Sequence, residues 1–352
     1  MIHASRRARV AAALPGHEVA AVLVTAAVNV RYLTGLDSSN AALLLTAGSE
    51  ALLATDSRYA ETARERCAGV EVIEDRDVAG ALLSRAGDAG PVAVEAGRMP
   101  VGTFRDLAGA HPLAPVEGIV ETVRAVKDEG ELASLRRACT ITDEAFARVV
   151  EAIAPGTTER EIARRLAIAM IELGADKPAF DAIVASGPNG SIPHHSPSDR
   201  AVERGDLVTM DFGALYEGYH ADMTRTVAVG RPAAWQRDLY DLVRLAQRAG
   251  RHAVRVGATA DEVDAAAREL IAEAGHAGHF GHGLGHGVGL EIHEQPFLGP
   301  GRTGRLEDRV PITVEPGVYL PGRGGVRIED TLVTRDDGPE LLTLTTKELL
   351  VL

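Results

Sequence analysis

Four acidic residues lie inside runs that are otherwise apolar or β-branched: Asp211 in LVTMDF, Asp222 in HADMTR, Glu315 in ITVEPG and Glu329 in VRIEDT. A carboxylate in such a run loses hydration, and two that face each other also repel, so a cation is the most direct compensation. Symmetry of spacing suggests how they meet. A hairpin turning between Tyr216 and Glu217 sets Asp211 opposite Asp222, and one centred on Gly322 sets Glu315 opposite Glu329, with distortion at Pro316 and Gly317. Opposed residues of a hairpin have β-carbons about 5 Å apart.

A fifth element is the stretch GHGLGHGVGLEIHE, residues 281–294. His282 and His286 have the i, i+4 spacing of two ligands on one helix face. Glycines at 281, 283, 285, 287 and 289 argue against a helix, since each costs about 1 kcal/mol relative to alanine. They favour a glycine-kinked strand or loop, where the backbone approaches a neighbour closely and aims the imidazoles.

Four carboxylates with an imidazole form a mostly hard-oxygen ligand set suited to Mn²⁺, with Co²⁺, Fe²⁺ or Zn²⁺ as alternatives. The set exceeds the needs of one ion. Two ions about 3.5–4 Å apart, bridged by carboxylates and a hydroxide, use all of it and supply a nucleophile at neutral pH, which makes the reaction class metal-assisted hydrolysis. Among the histidines, His286 is the ligand candidate and His293 a proton donor or oxyanion stabiliser. Either His194 or His195, in NGSIPHHSP, reaches the site from a loop. His282 is supporting or structural, His276 and His279 are loop residues, and His17 and His111 lack acidic or histidine companions and read as structural.

Strands and helices must position these groups. Val19–Val24, Ala41–Leu45, Ala51–Thr55 and Pro91–Glu95 read as strands, with helical segments at Ser57–Cys67 and Val78–Ala86, giving an α/β domain over residues 1–120. HPLAPVEG, 111–118, reads as its edge. The second domain, 121–352, opens with a helical pattern over Lys127–Ala154, stopped by Pro155 and Gly156. Thr158 with Glu161 forms a capping box for a helix ending at Leu173 and Gly174. Strands follow at Ala182–Ser186, Leu207–Phe212, His220–Val229, Ile312–Glu315 and Val326–Val333, with helices at Ala233–Val256 and Asp261–Ala274. The expected class is α+β, a mainly antiparallel sheet with helices packed on one face.

Composition sets the boundaries. The 352 residues carry 37 basic and 50 acidic side chains, and the resulting charge of −13 excludes nucleic acid or an anionic membrane as the expected partner. Two distant cysteines, Cys67 and Cys139, suit a reducing compartment. The opening MIHASRRARVAAALPGHE has an apolar run too short for a signal peptide, and no stretch reaches the ~20 residues of a membrane span. The expected location is the cytoplasm.

In chain order, Asp211, Asp222, His286, Glu315 and Glu329 resemble the five metal ligands of the pita-bread metallopeptidases, a family that includes methionine aminopeptidase, aminopeptidase P and prolidase. HGLGHGVGLEIHE (282–294), EPGVY and GVRIEDT resemble the signatures of its aminopeptidase P and prolidase branch. NVRYLTGLDSSNAALLL and DSRYAETA extend the likeness into the N-terminal domain. The resemblance implies a pita-bread catalytic domain behind a smaller creatinase-like domain, and a homodimer. It implies that Asp211 chelates one metal, that Asp222 and Glu329 bridge both, and that His286 and Glu315 hold the other. Glu315 would also take a proton from the attacking water, His194 and His293 would steady the tetrahedral intermediate, and Arg327 would hold the ligating acids. The implied substrate is a peptide with proline second, or an Xaa-Pro dipeptide. A dipeptidase needs a cation for the proline carboxylate, for which Arg302, Arg305, Arg309 and Arg323 are candidates. Two other readings are a creatinase-like hydrolase or lyase of a small non-peptide substrate, and a binding protein on the same scaffold.

Overall fold

A computed structural model describes residues 2–86 and 90–352, and the chain divides into two units, Met1–Arg124 and Ala125–Leu352. The first is built on a six-stranded mixed sheet in the order Glu71–Glu74, Ala51–Thr55, Ala41–Thr46, Ala21–Val24, Val92–Glu95, Leu113–Val116. Ala21–Val24 and Val92–Glu95 are buried at every position, which is why they read as continuous apolar runs rather than alternating ones. The stretch 111–118, read as a domain edge, contains the sheet's last strand. Pro115 is tolerated there because an edge strand can spare the amide donor. Ile2–Ala13 is a helix, with Arg6 and Arg7 buried; the Arg7 guanidinium donates to the carbonyls of Leu33, Ala68 and Gly69.

The second unit repeats one plan twice, a pair of helices followed by antiparallel strands. Helices Glu129–Val150 and Glu159–Glu172 pack through Ile141, Phe146, Ile162 and Leu166 on Val208, Met210, Phe212 and Val227 of the first set of strands. Helices Ala234–Ala253 and Ala260–Ile271 pack through Leu239, Val243, Val263 and Ala267 on Ile312, Val314 and Leu332 of the second. Thr158 caps its helix by accepting from the Glu161 amide, but Glu161 does not complete the box. Its carboxylate pairs with Arg165 one turn on. Gly174 closes the helix at φ 101°, where a side chain is strained. Among the described residues no helix is long and apolar enough to cross a membrane, and both cysteines are free and buried.

The two hairpins differ from expectation in one respect. Leu207–Phe212 pairs with Met223–Ala228 so that Asp211 faces Thr224, not Asp222. The turn lies at Glu217 and Gly218, both at positive φ, one position later than expected, and each such step moves the facing residue by two. Asp222 therefore sits just before the strand rather than across from Asp211. The second hairpin is centred on Gly322 as read, with Gly317 facing Arg327 and Val314 facing Asp330. Glu315 and Glu329 occupy the break between those two ladders, where Pro316 interrupts the pairing.

Candidate metal centre

All nine residues singled out for chemistry belong to the second unit, and Asp211, Asp222, His286, His293, His194, Glu315, Arg327 and Glu329 line one cavity of about 690 Å³ together with His195. Asp211 is the penultimate residue of its strand, and Asp222 immediately precedes the partner strand. Glu315 and Glu329 flank the break in the second hairpin. The strand Gly285–Gly287 brings His286 to the same place, pairing on one side with Glu294–Leu298 and on the other with Pro311–Val314. Its glycines are required by that fit: a β-carbon on Gly285 would lie 2.0 Å from the Thr313 carbonyl oxygen, and one on Gly287 2.2 Å from that of Gln295. The glycines flanking His286 thus form a strand wedged between two backbones, with the imidazole lining the cavity.

The ligand-type atoms converge. One atom each from Asp222, His286 and Glu329 lie within 4.8 Å of one another. His286 Nε2 is 3.6 Å from Asp222 Oδ2 and 3.4 Å from Glu315 Oε1. Its Nδ1 lies 3.0 Å from its neighbour Gly287's carbonyl, which can only accept, so the proton sits on Nδ1 and the Nε2 lone pair faces the carboxylates. Burial holds the His286 pKa down to about 4, so the ring is neutral near pH 7. A lone pair aimed at carboxylate oxygens is repulsive unless a cation lies between them.

The acids tell the same story. Asp222 is pushed well above the usual carboxylate range, first by burial and then by Glu329, Asp211 and Glu315. Glu329 is pushed well above it by burial and by Glu315 and Asp211. Glu315 rises to about 8 through burial, with Arg327 opposing and Asp211 adding to the rise. Asp211 Oδ1 is buried without a hydrogen-bond partner. An orphaned carboxylate oxygen, an inward lone pair and carboxyls that resist ionising all fit divalent cations held by these five residues.

Arg327 organises the rim. Its Nη2 donates to Asp211 Oδ2 at 2.6 Å, its Nε to Thr224 Oγ1 at 3.2 Å, and its Nη1 to Tyr319 OH at 2.9 Å and to the Pro193 carbonyl at 3.2 Å. Thr224 in turn donates to Glu329 Oε2 at 2.7 Å. Tyr319 OH meets His282 Nε2 at 2.9 Å, and His282 Nδ1 lies 2.8 Å from the Gly283 carbonyl, so His282 supports the centre and does not ligate. Sequence reasoning assigned no role to Tyr319 or Thr224. The available signal was period two: Thr224 is two residues from Asp222, and Tyr319 lies along the strand that follows Glu315.

The two histidines at 194 and 195 separate. His195 Nε2 is bonded to Glu159 Oε2 at 2.8 Å, whereas among the described residues the His194 ring makes no hydrogen bond, and it is exposed at the cavity. His293 is also exposed and meets His286 edge to face at 4.5 Å between ring centroids. Burial lowers the His293 pKa, helped by His194 nearby. Of the four arginines weighed for a substrate carboxylate, three are engaged elsewhere. Arg305 donates to the Gly257 carbonyl at 2.6 Å, Arg309 pairs with Asp308 at 3.4 Å, and Arg323 lies over the Trp235 ring at 4.5 Å. Arg302 lines the cavity, and among the described residues its guanidinium has no ion-pair or hydrogen-bond partner. His276 and His279 lie outside the cavity, their Nδ1 atoms 3.3 Å apart.

The arrangement is that of a metal-dependent hydrolase. The description of metallopeptidase family M24 matches residues 133–336, and that of the creatinase/prolidase N-terminal domain matches residues 6–126. The Xaa-Pro dipeptidase of Pyrococcus furiosus is 38% identical, over 94% of this chain and 94% of its own length. Among solved structures, an Xaa-Pro dipeptidase from Bacillus anthracis superposes with a TM-score of 0.96 at 34% identity, covering 99% of this chain and 100% of the other. An X-Pro aminopeptidase from Thermotoga maritima MSB8 superposes at 0.87 with 36% identity, covering 96% and 97%. The chain belongs to metallopeptidase family M24, with an α+β catalytic unit of the pita-bread fold.

Proposed function

We propose that this metallopeptidase cleaves the bond between a first residue and a following proline, with free Xaa-Pro dipeptides as its substrates, using two divalent ions for which Mn²⁺ is the best match. Asp211, Asp222, His286, Glu315 and Glu329 would hold them. When bound, such ions supply Lewis acidity toward the scissile carbonyl and make water a nucleophile at neutral pH.

The chain's own residues do the rest. Glu315, at the cavity wall 3.4 Å from His286 Nε2, takes the proton of the attacking water on its carboxylate and passes it to the departing proline nitrogen. His293 and His194, both exposed at the cavity, donate N–H groups to the oxygen on which charge develops. Arg327 and Thr224 hold Asp211 and Glu329 in place. Proline's tertiary amide offers no N–H, so recognition falls to shape. Phe180, Ile183, Ile292, Phe297 and Leu298 give the cavity an apolar wall for the ring. Arg302, at the cavity wall, takes the free carboxylate that a dipeptide presents on its proline.

The observation that carries this reading is the convergence of four carboxylates and a lone-pair imidazole in one pocket, with the Arg302 guanidinium at its wall unengaged among the described residues. Comparing turnover of Xaa-Pro, Xaa-Pro-Xaa and Xaa-Ala with Mn²⁺ added tests it. Only the first should be cleaved efficiently, and equal turnover of Xaa-Ala would contradict it. The family resemblance and the two buried thiols support a homodimer working in the cytoplasm. Sedimentation of the purified chain as a monomer would contradict the former.

A further inference from the structure

Glu159 is fully buried, stands in the first turn of the helix Glu159–Glu172, and has no part in the chemistry above. Its carboxylate nevertheless accepts six hydrogen bonds. Oε1 receives Ser186 N and Ser186 Oγ at 2.7 Å each and Asn189 Nδ2 at 2.9 Å. Oε2 receives His195 Nε2 at 2.8 Å, Ser198 N at 3.0 Å and Ser198 Oγ at 2.6 Å. Burial alone would raise its pKa, but the donors from Ser198, Asn189, Ser186 and His195 outweigh it and hold the group at about 2. It is an anion at every working pH, and the helix N-terminus favours that charge.

All four donor residues belong to one segment, 186–198, which leaves the strand Ile183–Ser186, makes a short 3-10 turn at Gly187–Ser191 and then runs without regular structure. That segment carries His194. On one side of His194, the Pro193 carbonyl is held by Arg327 at 3.2 Å; on the other, His195 is held by Glu159. Among the described residues the His194 ring has no hydrogen-bond or ion-pair partner, and it is exposed. Its position is therefore set by its neighbours, and only one of those ties reaches back to the metal-binding residues.

We propose that Glu159 is a positioning residue: it clasps the segment 186–198 so that His194 stands at a fixed place in the cavity, and it acts on catalysis through His194 alone. This rests on the catalytic part given to His194 above. Glu159→Gln keeps the volume but offers an amide NH₂ to three of the six donors, which frees one edge of the segment. A displacement near 1 Å at a reacting group costs about 10²-fold in rate.

The test is a double-mutant cycle on the metal-loaded protein with an Xaa-Pro dipeptide. Glu159→Gln should lower kcat by about 10²-fold with KM and metal stoichiometry unchanged, and the same change in a His194→Ala background should cost less than about twofold. An unchanged kcat, or the same loss in both backgrounds, would overturn the clasp. If Glu159→Gln does not fold, His195→Ala removes the nearest tie, and a loss of about tenfold that vanishes in the His194→Ala background carries the same weight. A separate readout uses the metal-free chain: limited proteolysis should cut within 186–198 in Glu159→Gln but not in His194→Ala, and equal resistance of both would overturn the clasp. Parental kcat in His194→Ala overturns the catalytic reading of His194 instead, and leaves the proteolysis result to decide the clasp.

Discussion

Replacing Asp222 by asparagine should stabilise the chain when metal is absent and destabilise it when metal is present. Asp222 is 5% exposed, and one of its ligand atoms lies within 4.8 Å of one from Glu329. Two ionised carboxylates at that distance repel by about 3.5 kcal/mol at an effective dielectric near 20. Burial adds to this, which is why both groups are pushed well above the usual carboxylate range. An acid raised in the folded state favours folding below its ordinary pKa, and that advantage is lost as pH climbs toward the folded-state value. The metal-free parent should therefore lose stability steadily above about pH 4. Asparagine has the same shape and cannot ionise. At pH 8 without metal, Asp222→Asn should be about 2–3 kcal/mol more stable than the parent, a rise in Tm of about 4–12 °C for a unit of this size, while near pH 4 the two should coincide. Saturating Mn²⁺ should reverse the order, because a ligand at a thousand times its Kd adds about 4 kcal/mol to the parent and little to the variant. Thermal denaturation in chelator and in Mn²⁺ at the two pH values reads all four states. A metal-free variant that melts below the parent at pH 8 would refute the electrostatic argument.

Three further outcomes follow from single contacts. His293→Ala should keep its metal, measured by elemental analysis, but lose about 10²–10³ in kcat, the usual cost of removing one donor to a developing oxyanion. Arg302→Gln should raise KM for an Xaa-Pro dipeptide about tenfold or more by removing a charge-assisted contact, and should leave the weak turnover of Xaa-Pro-Xaa unchanged. Lys127, 1% exposed at the side chain, pairs with the 6% exposed Glu294 at 2.9 Å, next to His293. Lys127→Met removes the buried ammonium opposite that carboxylate and should cost about 3–5 kcal/mol in urea denaturation, most of it recovered by adding Glu294→Gln.

Much of this site was legible before any coordinates. Acids in apolar strands are anomalous under the hydrophobic effect alone, and alternating glycine is anomalous under any helix rule, so both announced themselves by residue type. Register was legible where a turn residue was unambiguous, as at Gly322, and slipped by one where Glu217 adopts a positive φ that glutamate rarely takes. The edge strand Leu113–Val116 was hidden because Pro115 reads as a breaker unless its place at the sheet margin is known. Supporting residues were the least legible. Glu159 opens an ordinary amphipathic helix, Lys127 precedes another, and Tyr319 sits in a plain strand. Each owes its role to a partner between eight and more than a hundred residues away, a relation that local pattern does not encode. The difference between His194 and His195 was of this kind, since Glu159 lies 36 residues from the His195 ring it captures.

The central claim is that five converging side chains hold two divalent cations on which peptide cleavage depends. Stepwise return of Mn²⁺ to fully chelated protein, with bound metal and Xaa-Pro hydrolysis followed together, addresses it most directly. Hydrolysis should be absent at zero equivalents and complete at two per chain, while Glu329→Gln should neither take up that complement of metal nor hydrolyse the dipeptide. Hydrolysis that persists after complete chelation, or saturation of Glu329→Gln with the parental complement of metal, would contradict it.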